Sequence, residues 1–153
     1  MKNNQGFTLF IALTITATLL LVSTGIVTVA LRQAFLTSSS RESQYAFYAA
    51  DTGIECAIYW DVKNPTGYSA FATTTGPTTI NCNYDAVNNP SNTMSVGTSS
   101  VSAFTIRFNP RPYSADVTVT KNNDGTTNIV SNGFNTFDSS NPRRTQRSVK
   151  VNY

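Results

Sequence analysis

The chain has 153 residues, enough for one domain of ordinary size and too few for two comfortable ones. Only 12% of them are charged, about half of the roughly 25% usual in globular proteins, and the formal net charge is a small +3. The absence of histidine excludes Ser-His and Cys-His catalytic pairs and histidine-ligated metal sites. Because the sequence also lacks a glycine-rich phosphate loop and a metal-ligand cluster, it predicts a non-enzymatic protein without a cofactor.

Residues 7–31 form an uncharged segment rich in Leu, Ile, Val, Ala and Thr, with no proline and a single glycine, Gly25. As a helix this segment would be roughly 37 Å long, which exceeds the ~30 Å hydrocarbon core of a bilayer. In lipid the backbone must satisfy its own hydrogen bonds, so helix is the conformation to expect. The segment is therefore predicted to be a single transmembrane helix.

Six threonines and Ser23 make this segment more polar than most membrane spans. Their hydroxyls can donate to a carbonyl one turn earlier in the same helix, or to a group on a neighbouring helix. Thr14 and Thr18 share one face, as do Thr24 and Thr28, so a bundle of like helices stays open beside the local alternative.

An ordinary secretory signal peptide is a second interpretation of this amino terminus. Cleavage after Ala30, with Thr28 two positions earlier, would satisfy the small-residue rule and release a soluble secreted β-domain. The apolar core of a signal peptide is only about 7 to 15 residues long, however, and this one is much longer.

The start of the apolar segment carries a more specific motif: a short polar leader ends in Gly6, and Phe7-Thr8-Leu9 follows at once. This resembles the class III signal of type IV prepilins and pseudopilins. The resemblance implies that a prepilin peptidase cuts between Gly6 and Phe7 and that the new Phe7 amine is methylated. The apolar helix would then be kept, first in the inner membrane as a single pass and later in an extracellular pilus.

Residues 46–57 read Ala-Phe-Tyr-Ala-Ala-Asp-Thr-Gly-Ile-Glu-Cys-Ala, which is similar to the segment after the membrane helix in minor pilins of the PilX kind. With the leader motif, the resemblance covers about the first 62 residues. It implies the α+β pilin lollipop, in which a long helix packs on an antiparallel sheet. The implied partners are other pilin subunits, the prepilin peptidase and the pilus assembly platform.

Two positions depart from the usual pilin pattern. Ile11 stands at the fifth position after the expected cut, where the family usually has glutamate, and Thr28 stands where many major pilins have proline. Without that glutamate the helix offers no carboxylate to the amine of a neighbouring subunit. The resemblance therefore implies a minor subunit, at the filament tip or in the priming complex.

No proline interrupts residues 32–62, so the helix is predicted to continue through them. Small residues recur there at intervals of four, three and four, and they predict a ridge on which another backbone can pack closely. The ridge consists of Ala46, Ala50, Gly53 and Ala57. An adjacent stripe of Phe47, Ile54 and Ile58 is predicted to bury an apolar flank against a sheet.

Asp51 and Glu55 lie one turn apart on this predicted helix. A carboxylate pair can bind a divalent cation or do acid-base work, but no dense loop of further oxygen ligands accompanies these two. A solvated helix face is the simpler interpretation.

Pro65 and Gly67 are predicted to end the helix, and residues 63–100 to form a long, partly irregular connection. Cys56 and Cys82 are the only cysteines, one near the helix end and one in this connection. In an exported domain two cysteines predict a disulfide, with a free thiol or an intersubunit link as alternatives.

In residues 101–153 the apolar residues recur with a period of two. This pattern predicts an antiparallel meander of about four strands across the helix. The predicted strands are residues 101–108, 115–120, 127–133 and 145–153. Asp124-Gly125 carries the strongest hairpin signal. In the last strand Val149, Val151 and Tyr153 are predicted to face inward and Lys150 to face water.

Four cations near the end of the chain could contact phosphate: Arg143, Arg144, Arg147 and Lys150. Tyr113, close to Arg111, could stack on a base. Four charges give only a modest, salt-sensitive contact, so a pilus-associated DNA-binding subunit for DNA uptake remains an alternative to the structural pilin.

Overall fold

The computed structural model describes residues 5–63 and 66–153, apart from the side chains of Gln5 and Ser91. By its internal contacts the chain divides into two compact units, Met1–Ser40 and Arg41–Tyr153. The first unit is helical throughout its described part, and the second unit, called the head below, carries all the strands.

Helix α1 spans Gln5–Ile58, which confirms the predicted helix through most of its length. A single π-helical turn, Tyr59–Lys63, follows it directly. Pro65 lies outside the described residues. Gly67 has a φ of +72°, a left-handed conformation that glycine adopts without steric cost, so the chain turns away here.

The connection after the helix contains a small sheet that the sequence did not predict. Strand β1, Thr79–Asn81, pairs antiparallel with β2, Thr93–Ser95, and places Ile80 opposite Met94. Ile80 is fully buried in the core. Strands of three residues are too short to show a period, which is why residues 63–100 read as irregular.

The remaining strands form the predicted four-stranded antiparallel meander, in the order β3-β4-β5-β6. Their bounds agree with the predicted ones to within one residue at each end. The strands are β3 Val101–Arg107, β4 Ser114–Lys121, β5 Thr127–Phe134 and β6 Gln146–Asn152. Gly125 has a φ of +87° in the turn between β4 and β5, as the Asp-Gly signal predicts. The α+β prediction is thus confirmed.

Within the head, the small-residue ridge of α1 packs against the sheet. Ala46, Ala50 and Ala57 are completely buried, and a Cβ atom added to Gly53 would collide with Ser131 of β5. Gly133 of β5 in turn lies against the backbone of Ala46 and Ala50. The ridge and this strand glycine together allow the helix and strand backbones to approach closely.

The predicted burial of the apolar flank is wrong for one of its three members. Ile54 is buried and Ile58 packs partly against the core, but Phe47 is 47% exposed. Phe47 lies one position after Ala46, which is about 100° around the helix from the buried ridge, so its ring points away from the sheet.

In β6, Val149 and Val151 face the core as predicted, whereas Tyr153 is 46% exposed and only its hydroxyl reaches inward.

Candidate functional site

The apolar part of α1 exposes nearly all of its large side chains. Phe7, Leu9, Leu20 and Ile26 are each about two-thirds exposed, and the other large apolar side chains of the segment are between 39% and 73% exposed. Among the described residues this is the one helix long and apolar enough to cross a membrane, and no part of its most apolar stretch is buried in the structure. A helix that is apolar on all sides is suited to lipid or to burial among other helices.

The hydroxyls of this segment donate to its own backbone. Thr14 Oγ1 donates to the carbonyl oxygens of Phe10 and Ile11, at 3.1 and 2.9 Å, and Thr28 Oγ1 donates to that of Gly25 at 2.8 Å. The same pattern holds for Thr16, Thr18, Ser23 and Thr24. Local bonding, the simpler of the two predicted alternatives, therefore describes these side chains in the single chain.

The predicted cleavage junction lies in the first turn of α1. Gly6 belongs to the helix, and the Phe7 side chain is exposed. Ile11, one turn after Phe7, presents only an aliphatic side chain to the surface. Residues 1–4 of the predicted leader lie outside the described residues.

Cys56 and Cys82 are paired in the structure, with their Cα atoms 5.9 Å apart. The pairing joins the carboxyl-terminal part of α1 to the residue that follows β1. Trp60 supports the same junction, because its indole Nε1 donates to the carbonyl oxygen of Asn81 at 3.1 Å. The helix end and the connecting segment are thus held together by a covalent and a polar contact.

The four cations proposed to contact phosphate do not form one patch. Arg147 faces α1 and donates from Nε to Ser43 Oγ at 2.7 Å, while Lys150 projects from the opposite face of β6. The guanidinium of Arg144 covers the ring of Phe134 at 3.6 Å and donates to the carbonyl oxygen of Thr136. Two of the four are therefore engaged within the head, which weakens the DNA-binding alternative.

Tyr113 is also engaged within the head. Its ring stacks on that of Tyr45 with 4.7 Å between the centroids, and the Tyr45 hydroxyl accepts a hydrogen bond from Arg41. One face of Tyr113 is therefore already covered by α1, and stacking on a base would have to use the other.

Asp51 and Glu55 lie on the solvent side of α1, Asp51 half-buried and Glu55 exposed. In the part of the chain that the structure describes, no three or more Asp, Glu, Cys or His side chains are grouped as metal ligands would be. Among the described residues the carboxylate pair therefore has no third acidic or cysteine ligand beside it.

A buried polar cluster around Asp61 was not found by sequence reasoning. Asp61 lies in the π-helical turn, and its carboxylate accepts hydrogen bonds from Lys121 Nζ at 2.7 Å, from the Tyr153 hydroxyl at 2.6 Å and from Ser69. Lys121 Nζ also donates to Thr127 at 2.7 Å. No sequence pattern predicts this cluster, because Lys121 and Tyr153 are 60 and 92 residues away from Asp61.

The Asp61 cluster changes the acidity of its members. Burial acts to raise the pKa of Asp61, but hydrogen bonds from Lys121, Ser69 and Tyr153, together with the Lys121 charge, outweigh it and leave that pKa below its ordinary value. Burial, and then the hydrogen bond to the Asp61 carboxylate, raise the pKa of Tyr153. The cluster therefore holds Asp61 ionised and Tyr153 protonated at neutral pH.

In a comparison with known families, residues 5–55 match the PilX N-terminal family. The match starts just before the predicted cleavage junction and ends within the small-residue ridge, so it covers the same region as the resemblance drawn from the motifs. Searches of curated proteins and of solved structures found no match to this chain.

Proposed function

Because its amino-terminal third matches the PilX N-terminal family, we propose that this chain is a minor, PilX-like type IV pilin or pseudopilin. The exposed apolar surface of residues 7–31 is the observation that carries the proposal, since such a surface needs lipid or other helices around it. The chain acts as a structural subunit. Its helix packs among other pilin helices, and its head faces outward.

In this function the prepilin peptidase cuts between Gly6 and Phe7, and the Phe7 amine is methylated. The helix then leaves the inner membrane and packs laterally in a filament or priming complex at the assembly platform. Lipid chains are as apolar as leucine, so helix-to-helix packing contributes through close van der Waals contact and not through removal from water. The threonine hydroxyls, which donate within their own helix, would have to rotate before they could donate to a neighbouring helix.

Ile11 supports a minor position in the filament. An aliphatic side chain there cannot offset the charge of a neighbouring amine in an apolar surrounding, which a repeating shaft subunit would need at every interface. A subunit at the tip or in the priming complex meets fewer such amines. The paired cysteines of the head agree with an extracytoplasmic location, where disulfides persist.

Intact-mass measurement of the native protein tests this function. The expected product lacks residues 1–6 and carries one methyl group on Phe7. A Gly6→Val variant should keep the leader, because a branched side chain replaces the small residue at the cut, whereas the matched Gly25→Ala variant should be processed normally. A product that begins at Leu31 would instead establish the secreted β-domain.

A second measurement concerns assembly. The processed protein should co-purify with sheared filaments or with the assembly platform, at far lower abundance than a major subunit. Recovery of the processed protein only as a soluble monomer, in cells that make filaments, would contradict the proposed function.

A further inference from the structure

Strand β6 is an edge strand with one open side. In the order β3-β4-β5-β6 it pairs only with β5, and no other strand of the described residues lies beyond it. Edge strands present unpaired backbone N–H and C=O groups, which natural proteins either cover or use for binding.

The register identifies the groups that face outward. Tyr153 and Thr127 exchange both backbone hydrogen bonds, at 2.7 and 3.1 Å. In an antiparallel pair such exchanges recur at every second residue, so Arg147, Val149 and Val151 also bond to β5. The N–H and C=O groups of the intervening residues point away from the sheet; these residues are Gln146, Ser148, Lys150 and Asn152.

The opposite edge strand, β3, has bonding partners at its carboxyl-terminal end. Asn92 donates from Nδ2 to the carbonyl oxygen of Arg107 at 2.6 Å and accepts from the Arg107 N–H at 2.9 Å, so its side chain caps the outer end of β3. The core-facing residues of β3, among them Phe104 and Ile106, are buried. In β6 the core-facing Val149 and Val151 are only partly buried, so some apolar surface stays accessible along this edge.

The charges of β6 favour one kind of binding segment over another. Its seven residues include two cations, Arg147 and Lys150, and no carboxylate. A second copy of β6 would add two further cations to the same edge, whereas an acidic segment would be attracted to it. Lys150 is exposed and projects from the outer face, where a carboxylate on a neighbouring strand can reach it.

We propose that the open edge of β6 binds an extended segment of a partner protein by strand addition. The guest segment carries apolar residues opposite Val149 and Val151 and a carboxylate opposite Lys150. Its backbone bonds to the outward groups of Ser148 and Lys150 and gives affinity, while the alternating side chains give specificity. This interaction belongs to the head and does not depend on the processing or assembly of the amino-terminal helix.

A peptide titration with two matched variants tests the proposal. The probe is a fluorescent seven-residue peptide that alternates valine with threonine and glutamate, added to the full chain in detergent micelles. Ser148→Pro and Ser148→Ala both delete the hydrogen bond from the Ser148 hydroxyl to Asn132, but only the proline removes the outward N–H. The proline should weaken peptide binding roughly tenfold relative to the alanine, while both keep the β5–β6 ladder.

Amide hydrogen exchange provides the second readout and checks that each variant is folded. In the free protein the amides of Ser148 and Lys150 should exchange fast while those of Val149 and Val151 are protected, and peptide should slow the first pair. Lys150→Glu should weaken binding roughly fivefold at low salt, and less at high salt.

Three results would overturn the proposal. They are no saturable binding of the peptide to the wild-type chain, equal binding by the Ser148→Pro and Ser148→Ala variants, and protection of the edge amides by self-association alone, which would make a second copy the occupant.

Discussion

At the scale of single residues, the absence of a side chain decides how closely α1 and the sheet pack. A Cβ on Gly133 would overlap the carbonyl oxygen of Ala46 and the backbone nitrogen of Ala50. Backbone atoms cannot rotate away as a flexible side chain can, so the strand or the helix would have to shift. The sequence predicted the helix side of this contact from the alanine spacing, but it gave no sign that a strand glycine would meet it.

Gly133→Ala is therefore expected to destabilise the head by about 3 kcal/mol, at the upper end of the usual cost of overpacking. Thermal unfolding followed by near-ultraviolet circular dichroism measures the effect. Gly97→Ala is the matched control, because a Cβ there meets no atom within 4 Å and its stability should be almost unchanged. Equal melting temperatures for the two variants would contradict the close contact.

Asp61 shows a different residue-scale effect, in which burial and charge oppose each other. Its side chain is 2% exposed and that of Lys121 is 25% exposed, with 2.6 Å between Lys121 Nζ and Asp61 Oδ1. Removing the carboxylate leaves the lysine without its anion in a partly desolvated place. Asp61→Asn should then cost about 2 kcal/mol at neutral pH, less than for a fully buried pair because water still reaches Lys121.

This cost should depend on pH. The pKa of Asp61 is lower in the folded than in the unfolded chain, so its stabilising contribution is complete above the unfolded value of about 4 and is lost as pH falls through the lower folded value. Urea unfolding of wild type and Asp61→Asn from pH 7 to pH 2 should show their stability difference shrinking on acidification. Asp51→Asn, on the solvent side of α1, is the control, and a difference between wild type and Asp61→Asn that stays constant would contradict the depressed pKa of Asp61.

At the scale of elements, the alternation of apolar and polar residues was sufficient to predict the strands wherever they were long. The strands of the four-stranded sheet have seven or eight residues and largely alternate between more buried and less buried positions, so their bounds were predicted closely. The β1–β2 hairpin was missed because Ile80 and Met94 are isolated apolar residues in polar surroundings. It is stabilised by partners distant in sequence: Asn92 bonds to Arg107, and Cys56 joins Cys82 just beyond β1.

The Cys56–Cys82 link is expected to be the main stabiliser of this connecting segment. It closes a loop with a sequence separation of 26 residues, for which loop-closure entropy predicts about 3.5 kcal/mol. Adding reductant should lower the melting temperature of the wild-type head and leave a Cys56→Ala, Cys82→Ala double variant unaffected. Wild-type melting that is indifferent to reductant would contradict the intrachain bridge, and a dimer on a non-reducing gel would indicate the intersubunit alternative.

At the scale of the whole molecule, the sequence predicted those structural features that depend on residues close together along the chain. The apolar helix, the small-residue ridge and the meander all follow from local composition and spacing. The Asp61 cluster and the open edge of β6 depend on which strand lies beside which, and no local pattern encodes that. The family match at residues 5–55 likewise ends within α1, so the surfaces of the sheet had to be read from the structure.

The position of Arg144 over Phe134 determines how any test of nucleic-acid binding should be designed. Replacing Arg144 by alanine would uncover an otherwise buried aromatic ring and remove the bond to Thr136, so lost binding would be confounded by lost folding. Arg143 and Lys150 are exposed, and no side-chain partner for either is found within the described residues. An alanine scan restricted to these two positions would report on surface charge alone.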